Sequence, residues 1–188
     1  MSTPTASSFG PGALATPANA ITIGRLLVTP ILLAMILDSG ASWPAVSLWI
    51  FLAVTDGVDG YFARRHGTTR SGAFLDPLAD KVLVLGAMVA LVATGSFWWL
   101  PVTLIAIREL AISGFRSWLA RQGLAVHARY WAKVKTVVQE VAVGFALLPL
   151  TAGDLEWVAS GVLWVAVVLT VVTGFQYLSE GRRASSAV

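Results

Sequence analysis

Thr55-Asp56-Gly57-Val58-Asp59-Gly60-Tyr61-Phe62-Ala63-Arg64-Arg65, followed after a short polar break by Gly72-Ala73-Phe74-Leu75-Asp76-Pro77-Leu78-Ala79-Asp80-Lys81, decides how this chain is read. Four carboxylates fall within 25 residues of a chain that has ten acidic residues in all, and apolar runs flank them on both sides. An ionised side chain in hydrocarbon costs at least about 2.5 to 3.5 kcal/mol, so something cationic must compensate them. On a helix, positions i, i+3, i+4, i+7 and i+8 share a face. Asp56, Asp59, Gly60, Ala63 and Arg64 therefore form one stripe, and Gly72, Asp76, Ala79 and Asp80 another. At a rise of about 1.5 Å per residue each Asp pair spans roughly one turn, and two antiparallel helices can aim all four at one pocket. Such oxygen donors suit hard divalent cations, and four of them suit two ions. Magnesium takes one or two carboxylates and completes its shell with water and substrate phosphate, which makes a phosphate ester the natural guest. Gly60, Ala63 and Gly72 leave room beside the backbone, and Arg64 can pair with phosphate.

Outward from this stretch, the composition excludes an ordinary soluble domain. Of 188 residues, 56% are hydrophobic and only 12% charged, with eight Trp and no Cys, against a soluble norm of about 25% charged. The mean hydropathy is +0.76. Disorder, a coiled coil and a disulfide-stapled fold are excluded as well. Apolar runs recur at 23–37, 44–64, 73–94, 98–119, 130–150 and 156–178, most of them near the length a membrane helix requires. Turn chemistry separates them at Asp38-Ser39-Gly40, Gly67-Thr68-Thr69, Gly95-Ser96, Arg121-Gln122-Gly123 and Thr151-Ala152-Gly153-Asp154. The expected fold is an all-α polytopic membrane protein with six transmembrane helices. Residues 1–18, uncharged and rich in Ser, Thr, Pro and Gly, read as a flexible tail, 19–180 as one membrane domain and 181–188 as a short C-terminal tail.

Charge position matters more than the net charge of +3. Arg64, Arg65, Arg70, Arg116, Arg121, Arg129, Lys133, Lys135, Arg182 and Arg183 fall on one side of the expected topology, and Asp38, Asp154 and Glu156 on the other. The bias of Lys and Arg toward the inner face places both termini in the cytoplasm. Trp43, Trp98, Trp99 and Trp157 gather at the expected outer ends, with Trp118 and Trp131 near the inner ends. This distribution argues for anionic lipid and phosphate as partners, not nucleic acid.

The spaced run Asp56, Asp59, Gly60, Ala63, Arg64, Gly72, Asp76 and Asp80 resembles the signature of the CDP-alcohol phosphatidyltransferases, membrane enzymes that join a phosphatidyl group from a CDP-activated lipid to an alcohol. Seven residues separate Arg64 from Gly72 where the family pattern has eight, a change confined to the interhelical loop. The resemblance implies that Asp56, Asp59 and Asp76 hold metal, that Asp80 touches the second metal and acts as general base, and that Gly60, Arg64 and Thr69 contact the CDP portion. It implies two Mg²⁺ or Mn²⁺ ions as cofactors, and homodimers are common in the family.

Asn19-Ala20-Ile21-Thr22-Ile23-Gly24-Arg25 with Pro30, Ile107-Arg108-Glu109-Leu110, Arg116-Ser117-Trp118 and Lys133-Val134-Lys135-Thr136 resemble the branch of that family that makes phosphatidylglycerophosphate in bacteria; with the Asp run, the likeness covers residues 19–145. It implies transfer of phosphatidyl from CDP-diacylglycerol to glycerol 3-phosphate at the cytoplasmic face of the bacterial inner membrane, with Asn19, Thr22 and Arg25 on the CDP-lipid. Arg108 and Glu109 read as an opposite-charge pair inside span four, and Arg116 lies two turns along the same face as Arg108. Arg108, Arg116, Lys133 and Lys135 are the candidate acceptor-phosphate residues. Another acceptor (inositol phosphate, serine or phosphatidylglycerol) is the nearest alternative, and an ion or proton transporter built on the Asp cluster is an alternative of a different class. His66 and His127 lack metal-ligand spacing. Glu140 reads as a partner of Lys133, Lys135 or Gln139, or as a pocket wall. Pro77 is expected to start or bend span three beside Asp76.

Overall fold

The computed structural model describes residues 17–66, 70–121, 130–151, 153 and 155–185, with side chains described for 19–55, 75–119, 133–151, 153, 155–177 and 179. Among these residues the chain forms six α-helices and one 3-10 turn, with no strand. The helices are α1 (Pro17–Ser39), α2 (Trp43–His66), α3 (Arg70–Ala93), α4 (Trp99–Arg121), α5 (Tyr130–Leu147) and α6 (Glu156–Ser185). Each overlaps one of the six expected apolar runs, with different ends. Pro17 opens α1, a position where its fixed φ is an advantage and its missing N–H costs nothing, so Asn19, Thr22 and Arg25 stand on the helix and not before it. Pro149 cannot donate to a continuing helix, so α5 stops at Leu147 and a 3-10 turn (Pro149–Thr151) follows. Helix α6 runs on through Ser185, over most of the expected C-terminal tail. Nothing there but Gly181 opposes a helix, and one glycine costs only about 1 kcal/mol.

Pro77 neither starts nor ends a helix. It sits inside α3, seven positions after Arg70, with its ring exposed. Pro30 is likewise inside α1. Prolines are tolerated in lipid-solvated helices because neighbouring elements re-satisfy the freed carbonyls. The short breaks close as their glycines allow: Gly40 (φ 60) donates to the Ile36 carbonyl at 2.9 Å, and Gly95 (φ 81) ends α3. Ser42 N–H donates to the Leu147 carbonyl at 3.1 Å, tying the α1–α2 connection to the end of α5.

Helices α1, α2 and α3 pack as one group and α4, α5 and α6 as another. The two groups meet where α2 touches α5 and α3 touches α4 and α5. The core between them is apolar: Leu32, Ile36, Trp49, Leu52, Met88, Leu91, Ile105, Val143, Leu147 and Leu163 are all but inaccessible. Trp49 also satisfies its indole N–H on the Glu140 carbonyl, 3.1 Å away, across the α2–α5 contact. The outside is apolar as well. Leu27 is 71% exposed, and Phe51, Ile107, Leu110, Val168 and Phe175 also face outward, while Asn19, Thr22, Arg25, Lys135, Gln139, Thr170 and Thr173 are buried. Greasy outside and polar within is the arrangement of a bundle solvated by lipid. Two helices, over Asn19–Ser39 and Glu156–Tyr177, are long and apolar enough to cross a membrane.

The α1–α3 seam is close because α3 presents Gly86 there: a Cβ at that position meets Leu33 Cδ1 at 3.2 Å. Replacing Gly86 with Ile forces α1 and α3 apart, and overpacking of this kind costs about 1 to 3 kcal/mol. A melting temperature in detergent about 5 °C below that of the parent protein is expected; an unchanged one removes this account of the seam.

Candidate active site

Polar residues on α1 form one inward stripe. Asn19, Thr22, Arg25 and Thr29 are each at most 2% exposed. Their spacing of three or four keeps them on one helix face. Thr29 returns its hydroxyl to the Arg25 carbonyl at 2.8 Å. Thr22 instead reaches out of its helix and donates to Asp76 Oδ1 on α3 at 2.7 Å. A hydroxyl–carboxylate bond of that length is of the stronger, charge-assisted kind. It joins two residues that the sequence nominated separately, one for the CDP-lipid and one for metal, and it fixes how the Asp76 carboxylate is turned.

One turn along α3 from Asp76, past the buried Ala79, stands the half-buried Asp80. The Lys135 ammonium on α5 lies within its electrostatic reach. Lys135 is 5% exposed, and its ammonium donates a hydrogen bond to Glu109 Oε1 on α4. The same oxygen accepts from Arg108 Nη1 at 3.1 Å. Arg108 Nη2 donates in turn to Thr173 Oγ1 on α6 at 2.9 Å. Lys81 acts on Glu109 from α3, so its charge serves α4 and not the neighbouring Asp80 alone. Charges and hydroxyls from four helices thus meet in one buried group. Each ion is held against burial by an opposite charge, which is the condition for keeping it inside lipid.

The four expected acceptor residues divide. Arg108 and Lys135 belong to this buried group, whereas Arg116 and Lys133 are exposed. The expected cationic cluster on α4 and α5 is therefore split, because residues two apart on a helix, such as Lys133 and Lys135, point to different faces. Among the described contacts the partner of Lys135 is Glu109. Glu140 lines an apolar cavity of about 470 Å³ between α2 and α5, together with Trp49, Ala53, Val54 and Gly144.

Asp56, Asp59, Gly60, Ala63 and Arg64 lie on the second half of α2 and Gly72 near the start of α3. Their side chains, and Thr69 altogether, fall outside the described residues. Asp56 is ten residues before His66, the end of α2, and Asp80 ten after Arg70, the start of α3. Among the described residues no three His, Cys, Asp or Glu side chains form a metal group.

Thr170, Thr173 and Gly174 are polar or small residues that the sequence reading passed over, and Gln139 entered it only beside Glu140. Gln139 Nε2 donates to Thr170 Oγ1 at 3.0 Å, a second polar link between α5 and α6. The signal was present: Thr170-Val171-Val172-Thr173 puts two hydroxyls on one face of an otherwise apolar helix.

The family model of the CDP-alcohol phosphatidyltransferases matches residues 15–172. The chain belongs to the CDP-alcohol phosphatidyltransferase family. A probable phosphatidylglycerophosphate synthase of Mycobacterium tuberculosis (strain ATCC 25618 / H37Rv) is 37% identical over 180 residues, covering 93% of this chain and 85% of the relative. A CDP-diacylglycerol–glycerol-3-phosphate 3-phosphatidyltransferase of Pectobacterium atrosepticum is 43% identical over 140 residues, 72% of this chain and 76% of its own. One from Salmonella choleraesuis is 40% identical over 169 residues, 86% and 92%. For a phosphatidyltransferase of this family, the matched stretch contains every site residue nominated from the sequence and stops one residue before Thr173.

Glu109 is the one carboxylate shared by Arg108 and Lys135 among the described contacts. Glu109→Gln leaves two buried cations without their anion, a loss of about 3 to 5 kcal/mol. The melting temperature in detergent is expected to fall sharply. It should recover largely when Lys135→Met is added, and a double variant no more stable than the single one refutes the charge-balance account.

Proposed function

We propose that this phosphatidyltransferase moves the phosphatidyl group of CDP-diacylglycerol to the 1-hydroxyl of sn-glycerol 3-phosphate, giving phosphatidylglycerophosphate and CMP. The observation that carries the reading is the Coulombic attraction between Asp80 on α3 and Lys135 on α5, which supports a base working near the acceptor-phosphate residues. The names of the bacterial relatives support the choice of donor and acceptor.

In this reading Asp56, Asp59, Asp76 and Asp80 hold two divalent cations, Mg²⁺ or Mn²⁺. The residues fit such ions: the donors are all carboxylate oxygens, and Asp76 is oriented by the Thr22 hydroxyl as metal-binding side chains commonly are by an outer partner. When bound, the ions neutralise the diphosphate and the departing CMP oxygens. Gly60, Ala63 and Gly72 give the nucleotide room against backbone, and Arg64, Thr69, Asn19 and Arg25 bind the CDP portion. Arg108 and Lys135 hold the acceptor phosphate, with Arg116 and Lys133 at its approach. Asp80 takes the proton of the attacking hydroxyl. The hydroxyl oxygen bonds to the phosphorus that carries diacylglycerol, and the bond from that phosphorus to the CMP oxygen breaks, in line.

The same reading places all six helices across the bacterial inner membrane, both termini and the active site on the cytoplasmic side. The Lys and Arg bias of the connections supports this orientation.

Purified protein given CDP-diacylglycerol should release CMP only with glycerol 3-phosphate and a divalent metal both present, and chelation should stop it. Faster release with inositol phosphate, serine or phosphatidylglycerol, or release that survives chelation, overturns the proposal. Asp80→Asn should lower kcat by about 10² to 10⁴ while CDP-lipid still binds, the range of a lost general base. A near-normal rate removes that role. Thr22→Val should raise the metal concentration for half-activity about tenfold through the freed Asp76 carboxylate. An unchanged metal requirement shows that the hydroxyl does not position a ligand.

A further inference from the structure

The α6 helix entered the sequence reading only as a membrane anchor, yet it carries the part of the buried group that nothing else explains. Thr173 is buried, and its hydroxyl donates to the Leu169 carbonyl one turn back at 2.7 Å. That bond uses its hydrogen and leaves its lone pairs for Arg108 Nη2, 2.9 Å away. A hydroxyl so oriented accepts from the guanidinium and does not donate to it. The next residue, Gly174, is pressed against the same side chain: a Cβ there would lie 3.1 Å from Arg108 Nε and 3.4 Å from its Cγ. Arg108 Nε is buried and has no hydrogen-bond acceptor among the described residues.

A guanidinium has a fixed fork of donors, so holding one end sets where the others point. Glu109 holds Nη1 and Thr173 holds Nη2. The buried Nε–H lies next to Gly174, a position on α6 that has no side chain. Buried donors of a cation are nearly always met by an acceptor, and an anion is the strongest one. We propose that Thr173 and Gly174 are the positioning pair of the acceptor site: Thr173 fixes the Arg108 fork, and Gly174, having no side chain, lets the guanidinium lie close against α6 in the orientation that serves the phosphate of the acceptor. The inference rests on the reading of Arg108 as an acceptor-phosphate residue, and Thr173 acts through Arg108 without touching substrate.

The test is steady-state kinetics on the full-length protein in mixed micelles of detergent and CDP-diacylglycerol, with KM measured separately for glycerol 3-phosphate and for CDP-diacylglycerol. Thr173→Val keeps the shape and removes the acceptor oxygen. It should raise the KM for glycerol 3-phosphate about five- to tenfold, the range of one intramolecular hydrogen bond, with the CDP-lipid KM changed less than about twofold. Thr173→Ser retains the oxygen and should restore the parent value. Gly174→Ala removes no hydrogen bond and should raise the same KM by crowding Nε, which keeps the idea testable if Thr173→Val folds poorly. Equal effects on both KM values, or no effect of either variant on the acceptor KM, overturn the proposal. Arg108→Gln leaves Glu109 and Lys135 paired and separates the two levels of the argument. If it spares the acceptor KM, the underlying reading of Arg108 falls and the positioning pair with it. If it raises that KM while Thr173→Val and Gly174→Ala do not, only the positioning pair falls. In the double variant Arg108→Gln with Thr173→Val, the Thr173 change should add nothing further. Additive effects show that Thr173 works by another route and refute the pairing.

Discussion

The buried charges between α4 and α5 are arranged around one carboxylate, Glu109, whose Oε1 is shared by the Arg108 guanidinium and the Lys135 ammonium. In a helix bundle whose exterior is hydrocarbon-like, an isolated buried charge has no water to turn to, so its partners must come from neighbouring helices. Arg108 and Glu109 are adjacent on α4, while Lys135 arrives from α5, Thr173 from α6, and Lys81 and Asp80 from α3. Charge balance thus does what apolar burial does in a soluble protein: it decides which helices stand together. Hydrophobic attraction between lipid-facing helices is weak, because lipid tails are as apolar as Leu.

The second polar centre is smaller and follows the same logic. The α1 stripe would be a liability on a helix of such apolar character unless something answered it, and Asp76 does so through Thr22. The α1–α3 seam is among the most extensive in the molecule, and Gly86 lets the two backbones approach. Packing and polar recognition therefore reinforce each other along one seam. Asp76 and Asp80, one turn apart on α3, look to different partners: one to α1 and the other toward α5. The two carboxylates are neighbours in sequence spacing, and α3 is the element that joins the two polar centres.

How far the sequence carried the structure depended on the kind of signal. Helix number followed from apolar run length and turn residues, because those are local properties. Helix ends did not. Pro17 lengthened α1, Pro149 shortened α5, and α6 continued past Gly181, each through the backbone preferences of single residues that a hydropathy pattern does not weigh. Arg108 and Glu109 were legible as a pair because they are adjacent. Lys135 was nominated as one of a cationic cluster, but its actual partner sits 26 residues away on another helix, and no spacing rule on one helix reaches it. Thr22 and Asp76 were both nominated, 54 residues apart, and only the packing of α1 on α3 put them in contact. Thr173 escaped altogether: a lone hydroxyl in an apolar run is ordinary until an arginine is found beside it.

The charge inventory of the buried group bears on which acceptor the proposed reaction can use. Lys81, Arg108 and Lys135 stand there against Asp80 and Glu109, three cations to two carboxylates among the described side chains. When Asp80 takes the proton of the attacking hydroxyl, the negative charge passes to the alkoxide oxygen and the net charge of the group is unchanged. Surrounding cations stabilise that oxygen. A phosphate on the acceptor supplies negative charge beside Arg108 and Lys135, so a phosphorylated acceptor balances the site when it binds. An acceptor without net negative charge, such as serine, leaves the imbalance in place. Discrimination by this means acts on acceptor binding. It follows from the same shared carboxylate that holds the helices together: Glu109 neutralises one of its two partners, and the charge left over is what a phosphate can answer.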